Sequence, residues 1–113
     1  MSESDPVSRP LRKSEFVIRF SSSQARRGWS NLLAVRRNAL VDAWEKLTAT
    51  PTSASVLCYP LLNNRAVIVR NGESHQRWQL KLNERDGMRI WYYVVGHTVF
   101  IENVFTSHPN ETK

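Results

Sequence analysis

The chain has 113 residues and a formal net charge of +6, and this length suffices for one domain whose core needs neither disulfides nor metal. Its single cysteine, Cys58, excludes an internal disulfide, and its three histidines lack the spacing of zinc ligands. No apolar run approaches the ~18 residues of a membrane span and the polar N-terminus has no apolar signal core, so we expect a cytoplasmic protein.

Most of the 16 basic residues are arginines. Arginine suits planar, bidentate contact with phosphate, whereas lysine is the commoner residue where only solubility is needed. The composition therefore favours a nucleic-acid partner, with codon usage in a GC-rich genome as the alternative explanation.

The N-terminal part of the chain divides into a tail and the start of a domain. Residues 1–14 are polar and contain two prolines, which predicts a flexible tail. Residues 15–113 are expected to form a single domain. The domain begins with a short apolar stretch over residues 16–20 that predicts a strand.

Two helices are expected after this strand. Ser21 and Gln24 fit a capping box, in which the hydroxyl and the amide satisfy backbone donors at the start of a helix. Apolar residues then recur at helical spacing, and Pro51 ends the run because the residue before proline avoids the helical region. A break near Ala34 predicts a helical hairpin, and one long helix is the alternative.

The second half of the chain predicts strands. Residues 52–76 are the least readable part, although residues 66–70 resemble a strand and Asn71-Gly72 is a turn signal. Two further strands surround a loop at residues 83–87. A last strand follows over residues 99–105.

The hairpin around residues 83–87 has two chemically different faces, since side chains alternate along a strand. One face is apolar and predicts a core: Trp78, Leu80, Leu82, Met88, Ile90, Tyr92 and Val94. The other is cationic and aromatic: Arg77, Gln79, Lys81, Arg89, Trp91 and Tyr93. Two helices can cover only one face of the sheet, so we expect this second face to be open and concave, as suits a phosphate backbone carrying bases.

The order of these segments resembles the RelE/ParE superfamily of bacterial toxins from type II toxin–antitoxin modules. The resemblance depends on Trp29 and Leu32 before a second helix that Pro51 closes, on the strand Trp78-Gln79-Leu80-Lys81-Leu82, and on the strand Met88-Arg89-Ile90-Trp91-Tyr92. It implies an α+β fold of the type β-α-α-β-β-β, with an N-terminal strand and a helical hairpin packed on one face of a small twisted antiparallel sheet.

The resemblance also implies a function. RelE-like, HigB-like and YoeB-like members cleave messenger RNA on the ribosome without metal or another cofactor, and a cognate antitoxin holds them inactive. Arg89 matches the arginine that contacts the scissile phosphate, Lys81 a basic position in the same site, and His108 a terminal histidine. Gln79 stands where RelE itself has a second lysine. The alternatives are a ParE-like inhibitor of DNA gyrase and a catalytically decayed nucleic-acid-binding homologue.

The chemistry of such a site assigns roles to these residues. Arg89 and Lys81 would stabilise charge on the phosphate, and His108 would act as acid or base. Arg77, Gln79, Trp91 and Tyr93 are candidates for RNA binding, through backbone contact or base stacking. As alternatives, Arg89 and Lys81 are only solvated charges, His108 only ends the strand, and the tail or residues 52–76 cover Trp91 and Tyr93.

Overall fold

A computed structural model describes residues 6–85 and 87–106. Its elements, in chain order, are β1 (Val17–Phe20), α1 (Ser23–Val35), α2 (Arg37–Ala49), β2 (Cys58–Pro60), a 3-10 turn (Asn63–Arg65), β3 (Val67–Arg70), β4 (Glu73–Gln76), β5 (Trp78–Lys81), β6 (Arg89–Val95) and β7 (Thr98–Phe105). The predicted α+β class is confirmed, as are the helical hairpin and the strands on both sides of the loop at residues 83–87.

The strands form two sheets. Five of them lie in the order β1-β7-β6-β5-β2, while β3 and β4 pair as a separate two-stranded hairpin. The expectation of a purely antiparallel sheet is wrong at one edge, because β1 runs parallel to β7. Strands that a tight turn joins must be antiparallel, but β1 and β7 come from opposite ends of the domain and are free of that constraint.

The helical hairpin begins one residue later than the capping box predicted. Ser22 is the N-cap of α1, and its hydroxyl accepts a hydrogen bond from the Ala25 amide at 3.0 Å. The Gln24 side chain does not return to the cap. It donates to the Val104 carbonyl at 2.9 Å and accepts from the Val104 amide at 3.1 Å, so it extends the hydrogen bonding of β7. The two helices are separated at Arg36.

The core lies between the helical hairpin and one face of the large sheet. The face predicted as apolar supplies it: Leu80, Met88, Ile90 and Tyr92 are buried, and Trp78, Leu82 and Val94 pack against them. The helices contribute Ala25, Leu32, Leu40, Ala43 and Leu47. Alternation along the hairpin therefore predicted the buried face correctly.

One glycine brings α1 close to β7. Gly28 is buried in the middle of α1, and a Cβ at this position would lie 2.7 Å from Val104 Cβ and would overlap the Val104 carbonyl oxygen. No side chain fits there unless the helix moves away from the strand. Gly28 is thus required by packing rather than by a turn.

We expect Gly28→Ala to lower the free energy of unfolding by about 1–3 kcal/mol, because overpacking at the α1–β7 contact outweighs the better helix propensity of alanine. Urea unfolding measures the change. Ser30→Ala, at an exposed position of the same helix, is the matched control and should change stability by less than about 0.5 kcal/mol. A Gly28→Ala protein as stable as the parent would contradict the close contact.

A second prediction concerns the buried Tyr92 hydroxyl. It donates to the Pro51 carbonyl at 2.5 Å and lies 3.1 Å from Cys58 Sγ. Burial, and then the contact with Cys58, raises the pKa of Tyr92 above its ordinary value of 10.0. Ionisation is therefore disfavoured in the folded state, and the stability contributed by the neutral phenol is lost as the pH rises above that ordinary value.

Tyr92→Phe should lower the free energy of unfolding at neutral pH by about 1–3 kcal/mol, because the Pro51 carbonyl loses its close donor and keeps only the contact from Cys58 Sγ at 3.8 Å. The variant should also lose less stability than the parent between about pH 9 and about pH 11, because it lacks the buried phenol. Urea titrations at both pH values measure this difference. Equal alkaline losses in the two proteins would show that Tyr92 is not the group responsible.

Candidate functional site

The outer face of the large sheet, opposite the helices, is covered at one end by the β3–β4 hairpin. The His75 ring from β4 stacks on Tyr93, with ring centroids 5.2 Å apart, and Tyr93 stacks on Phe100 at 5.3 Å. As a result, Tyr93 is only 5% exposed. The expectation of an open face is wrong at this end, and the alternative, in which residues 52–76 cover Tyr93, is confirmed.

Arg77 is neutralised by a carboxylate within the fold. Its Nε donates to Glu102 Oε1 at 2.7 Å and its Nη2 to Glu102 Oε2 at 3.2 Å, and Arg70 lies 3.5 Å from the same carboxylate. Glu102 is 7% exposed. Glu102 lies two residues after Phe100 on β7, so alternation along the strand places both side chains on the outer face. The β6–β7 register shifts beside it: Trp91 pairs with Asn103, but Tyr92 pairs with Ile101. Arg77 therefore attaches β5 to β7.

We expect Glu102→Gln to lower the free energy of unfolding by about 2 kcal/mol, because an amide cannot replace a bidentate carboxylate beneath two guanidinium groups. Glu73→Gln, at an exposed position of β4, is the matched control and should have little effect. Thermal unfolding and urea titration measure both. Unchanged stability in Glu102→Gln would contradict a structural role for the pair.

Trp91 lies in the middle of the outer face under two cations. The guanidinium carbons of Arg65 and Arg77 lie 5.5 and 5.7 Å from its ring centroid, and Phe105 meets the ring edge-on at 4.9 Å. The side chain is half-buried. Trp91 is thus partly covered, which reduces the ring area that could stack on a base.

Lys81 and Arg89 face each other directly on neighbouring strands, as the hairpin register predicted. Arg89 is held by two hydrogen bonds, from Nε to the Gly87 carbonyl at 3.1 Å and from Nη1 to Gln79 Oε1 at 3.3 Å. Within residues 6–85 and 87–106, neither cation lies in an ion pair with a carboxylate. Two adjacent like charges destabilise each other, so this pair favours an anion from outside the described residues.

Gln79 connects the side chains of this region. Its Nε2 donates to Tyr59 Oη at 2.7 Å, and its Oε1 accepts from Trp91 Nε1 at 2.7 Å as well as from Arg89. At 3% exposure, Gln79 has little surface with which to touch a ligand directly. The structure therefore places this predicted RNA contact beneath the surface, where it orients its neighbours.

Tyr59 is a site residue that sequence reasoning missed. It lies on β2, directly opposite Gln79 on β5, and the Lys81 ammonium is 5.9 Å from its ring centroid. A strand of three residues is too short to show alternation, so the sequence carried no signal for it.

His108, the proposed acid or base, lies outside the described residues, which end at Thr106. The last described strand does run beside β6, with Phe105 opposite Arg89. In the described ranges, no three His, Cys, Asp or Glu side chains are grouped as metal ligands would be. The same ranges contain no helix with the length and apolar character needed to cross a membrane.

Comparisons with protein families, with curated proteins and with solved structures find no match for this chain.

Proposed function

We propose that this chain is the toxin of a type II toxin–antitoxin module, with a RelE/ParE-type fold, and that it is a metal-independent, ribosome-dependent messenger RNA endonuclease. The observation that carries the proposal is the pair of adjacent cations, Lys81 and Arg89, neither of which is in an ion pair with a carboxylate of the described residues. Arg77 and Arg70 on the same face already have a carboxylate partner. Lys81 and Arg89 lie where the resemblance assigns phosphate contact.

The reaction requires few groups. The ribose 2′-oxygen attacks the adjacent phosphorus, the bond from phosphorus to the 5′-oxygen breaks, and a 2′,3′-cyclic phosphate and a 5′-hydroxyl result. One group removes the 2′-hydroxyl proton and another delivers a proton to the 5′-oxygen. In the proposal His108 performs one of these transfers, while Arg89 and Lys81 stabilise the negative charge that builds up on the phosphate oxygens.

The half-buried setting of Arg89 supports this role. Its two hydrogen bonds hold the guanidinium before any ligand arrives, and groups oriented in advance stabilise a transition state without reorganising. The uncovered part of Trp91 then lies on the same face for contact with a base or sugar. The partners in this proposal are messenger RNA, the ribosome and a cognate antitoxin in the cytoplasm.

Arg89→Ala should reduce messenger RNA cleavage by about 100-fold or more, because the phosphate loses its principal cation. Primer extension on a message translated in a purified translation mixture measures the cuts. The fold should remain, since Arg89 lies off the core face; circular dichroism checks this. Arg85→Ala, an exposed arginine of the neighbouring loop, is the matched control and should cleave normally. Undiminished cuts in Arg89→Ala would refute the site.

The alternative functions differ in what the same purified protein does. A ParE-like toxin would lower DNA supercoiling by gyrase and leave translation unaffected. A decayed homologue would bind nucleic acid, cleave nothing and be tolerated without an antitoxin. Blocked translation with normal supercoiling supports the proposed nuclease, and the reverse result rejects it.

A further inference from the structure

The hydrogen-bonding capacity of its neighbours determines how the Gln79 amide is oriented. The Trp91 indole nitrogen and the Arg89 guanidinium can only donate hydrogen bonds. Both lie against the same end of the amide, at 2.7 and 3.3 Å, so this end must be the carbonyl oxygen. The amide nitrogen then faces Tyr59. This orientation of the Gln79 amide is fixed by the two donors and does not depend on how the Tyr59 hydroxyl is rotated.

The same reasoning fixes the role of the Tyr59 hydroxyl. It accepts a hydrogen bond from Gln79 Nε2 at 2.7 Å, so its own proton must point away from Gln79. In the part of the chain that the structure describes, no residue accepts that proton. Tyr59 is half-buried rather than enclosed, which leaves part of the residue accessible to a ligand.

The Tyr59 ring lies near Lys81 and Arg89, which pair with no carboxylate of the described residues. Lys81 is 5.9 Å from the Tyr59 ring, and Arg89 faces Lys81 across β5 and β6. A hydroxyl donor next to an ammonium and a guanidinium matches the oxygens of a phosphate, which accept charge-assisted hydrogen bonds.

We propose that Tyr59 contacts the RNA phosphate held by Lys81 and Arg89, donating its hydroxyl hydrogen bond to a non-bridging oxygen, and that Gln79 is the positioning residue that keeps this proton directed outward. The inference rests on the proposed function and deepens it. It involves no transfer of the proton and no change of bonding in Tyr59.

Gln79→Glu separates this role from ordinary packing. A carboxylate only accepts, so it keeps the hydrogen bonds from Trp91 and Arg89 but takes the Tyr59 proton as well. The hydroxyl then points inward. Removing the hydroxyl by Tyr59→Phe should therefore matter in the natural protein and should not matter when Gln79→Glu is also present.

The experiment is a double-mutant cycle on binding. The probe is a fluorescent single-stranded RNA whose 2′-O-methyl groups block cleavage, and fluorescence anisotropy gives its Kd. Tyr59→Phe alone should weaken binding about tenfold, whereas adding it to Gln79→Glu should change Kd by less than about twofold. Tyr93→Phe, whose ring is enclosed at the other end of the face, is the control and should bind normally.

The possible outcomes distinguish this inference from the proposed function. No loss in Tyr59→Phe, or equal losses in both backgrounds, overturns the role of Tyr59, while cleavage by the natural protein would leave the proposed nuclease standing. Absence of RNA binding by the natural protein also overturns the role of Tyr59, whereas the proposed nuclease is overturned only if the natural protein leaves translated messages uncut. Circular dichroism confirms that each variant is folded before its Kd is interpreted.

Discussion

The close approach of α1 to β7 is the constraint on which the rest of the structure depends. Three residues of α1 and its N-cap contact this strand. The Ser22 hydroxyl donates to the Glu102 carbonyl at 2.6 Å, and the Gln24 side chain forms two hydrogen bonds with the Val104 backbone. Gly28, which has no side chain, leaves space for Val104 against the helix. Because β7 lies between β1 and β6, fixing it also fixes the strand that carries Arg89.

Glu102 gives the two ends of the outer face different electrostatic character. At one end Glu102 pairs with Arg77 and Arg70, and the rings of His75, Tyr93 and Phe100 form a stack. At the other end Lys81 and Arg89 have no such acid among the described residues. Glu102 thus offsets part of the arginine charge at one end of this face, whereas the described residues place no carboxylate against Lys81 and Arg89, so the Lys81–Arg89 end is the more favourable one for an anionic ligand.

The sequence predicted those features that have a period or a local signal. Alternation identified the core face of β5 and β6, helical spacing identified the helical hairpin, and Asn71-Gly72 marked the turn between β3 and β4. The sequence also predicted that Lys81 and Arg89 are neighbours on adjacent strands, because a short loop limits the register of a hairpin.

Features that depend on contacts between residues far apart in the sequence could not be predicted. The parallel pairing of β1 with β7 joins residues about eighty positions apart, and no local pattern encodes it. Gln79 resembled a surface contact because a polar residue alternates with apolar ones there, yet its partners come from three other strand positions. Likewise, the β3–β4 hairpin covers Tyr93 through the His75 ring, and His75 belongs to residues 52–76, the least readable part of the sequence.

The shortness of β2 limits how this edge of the sheet can associate with another molecule. This edge strand has three residues and ends at Pro60, which has no amide proton to offer. A second copy of the chain therefore finds almost no backbone ladder to extend at this edge, and sheet-to-sheet association there is suppressed. Tyr59 and Lys81 lie beside that edge. A ligand that binds there therefore contacts side chains rather than backbone groups, and side chains distinguish between ligands better than a repeating backbone does.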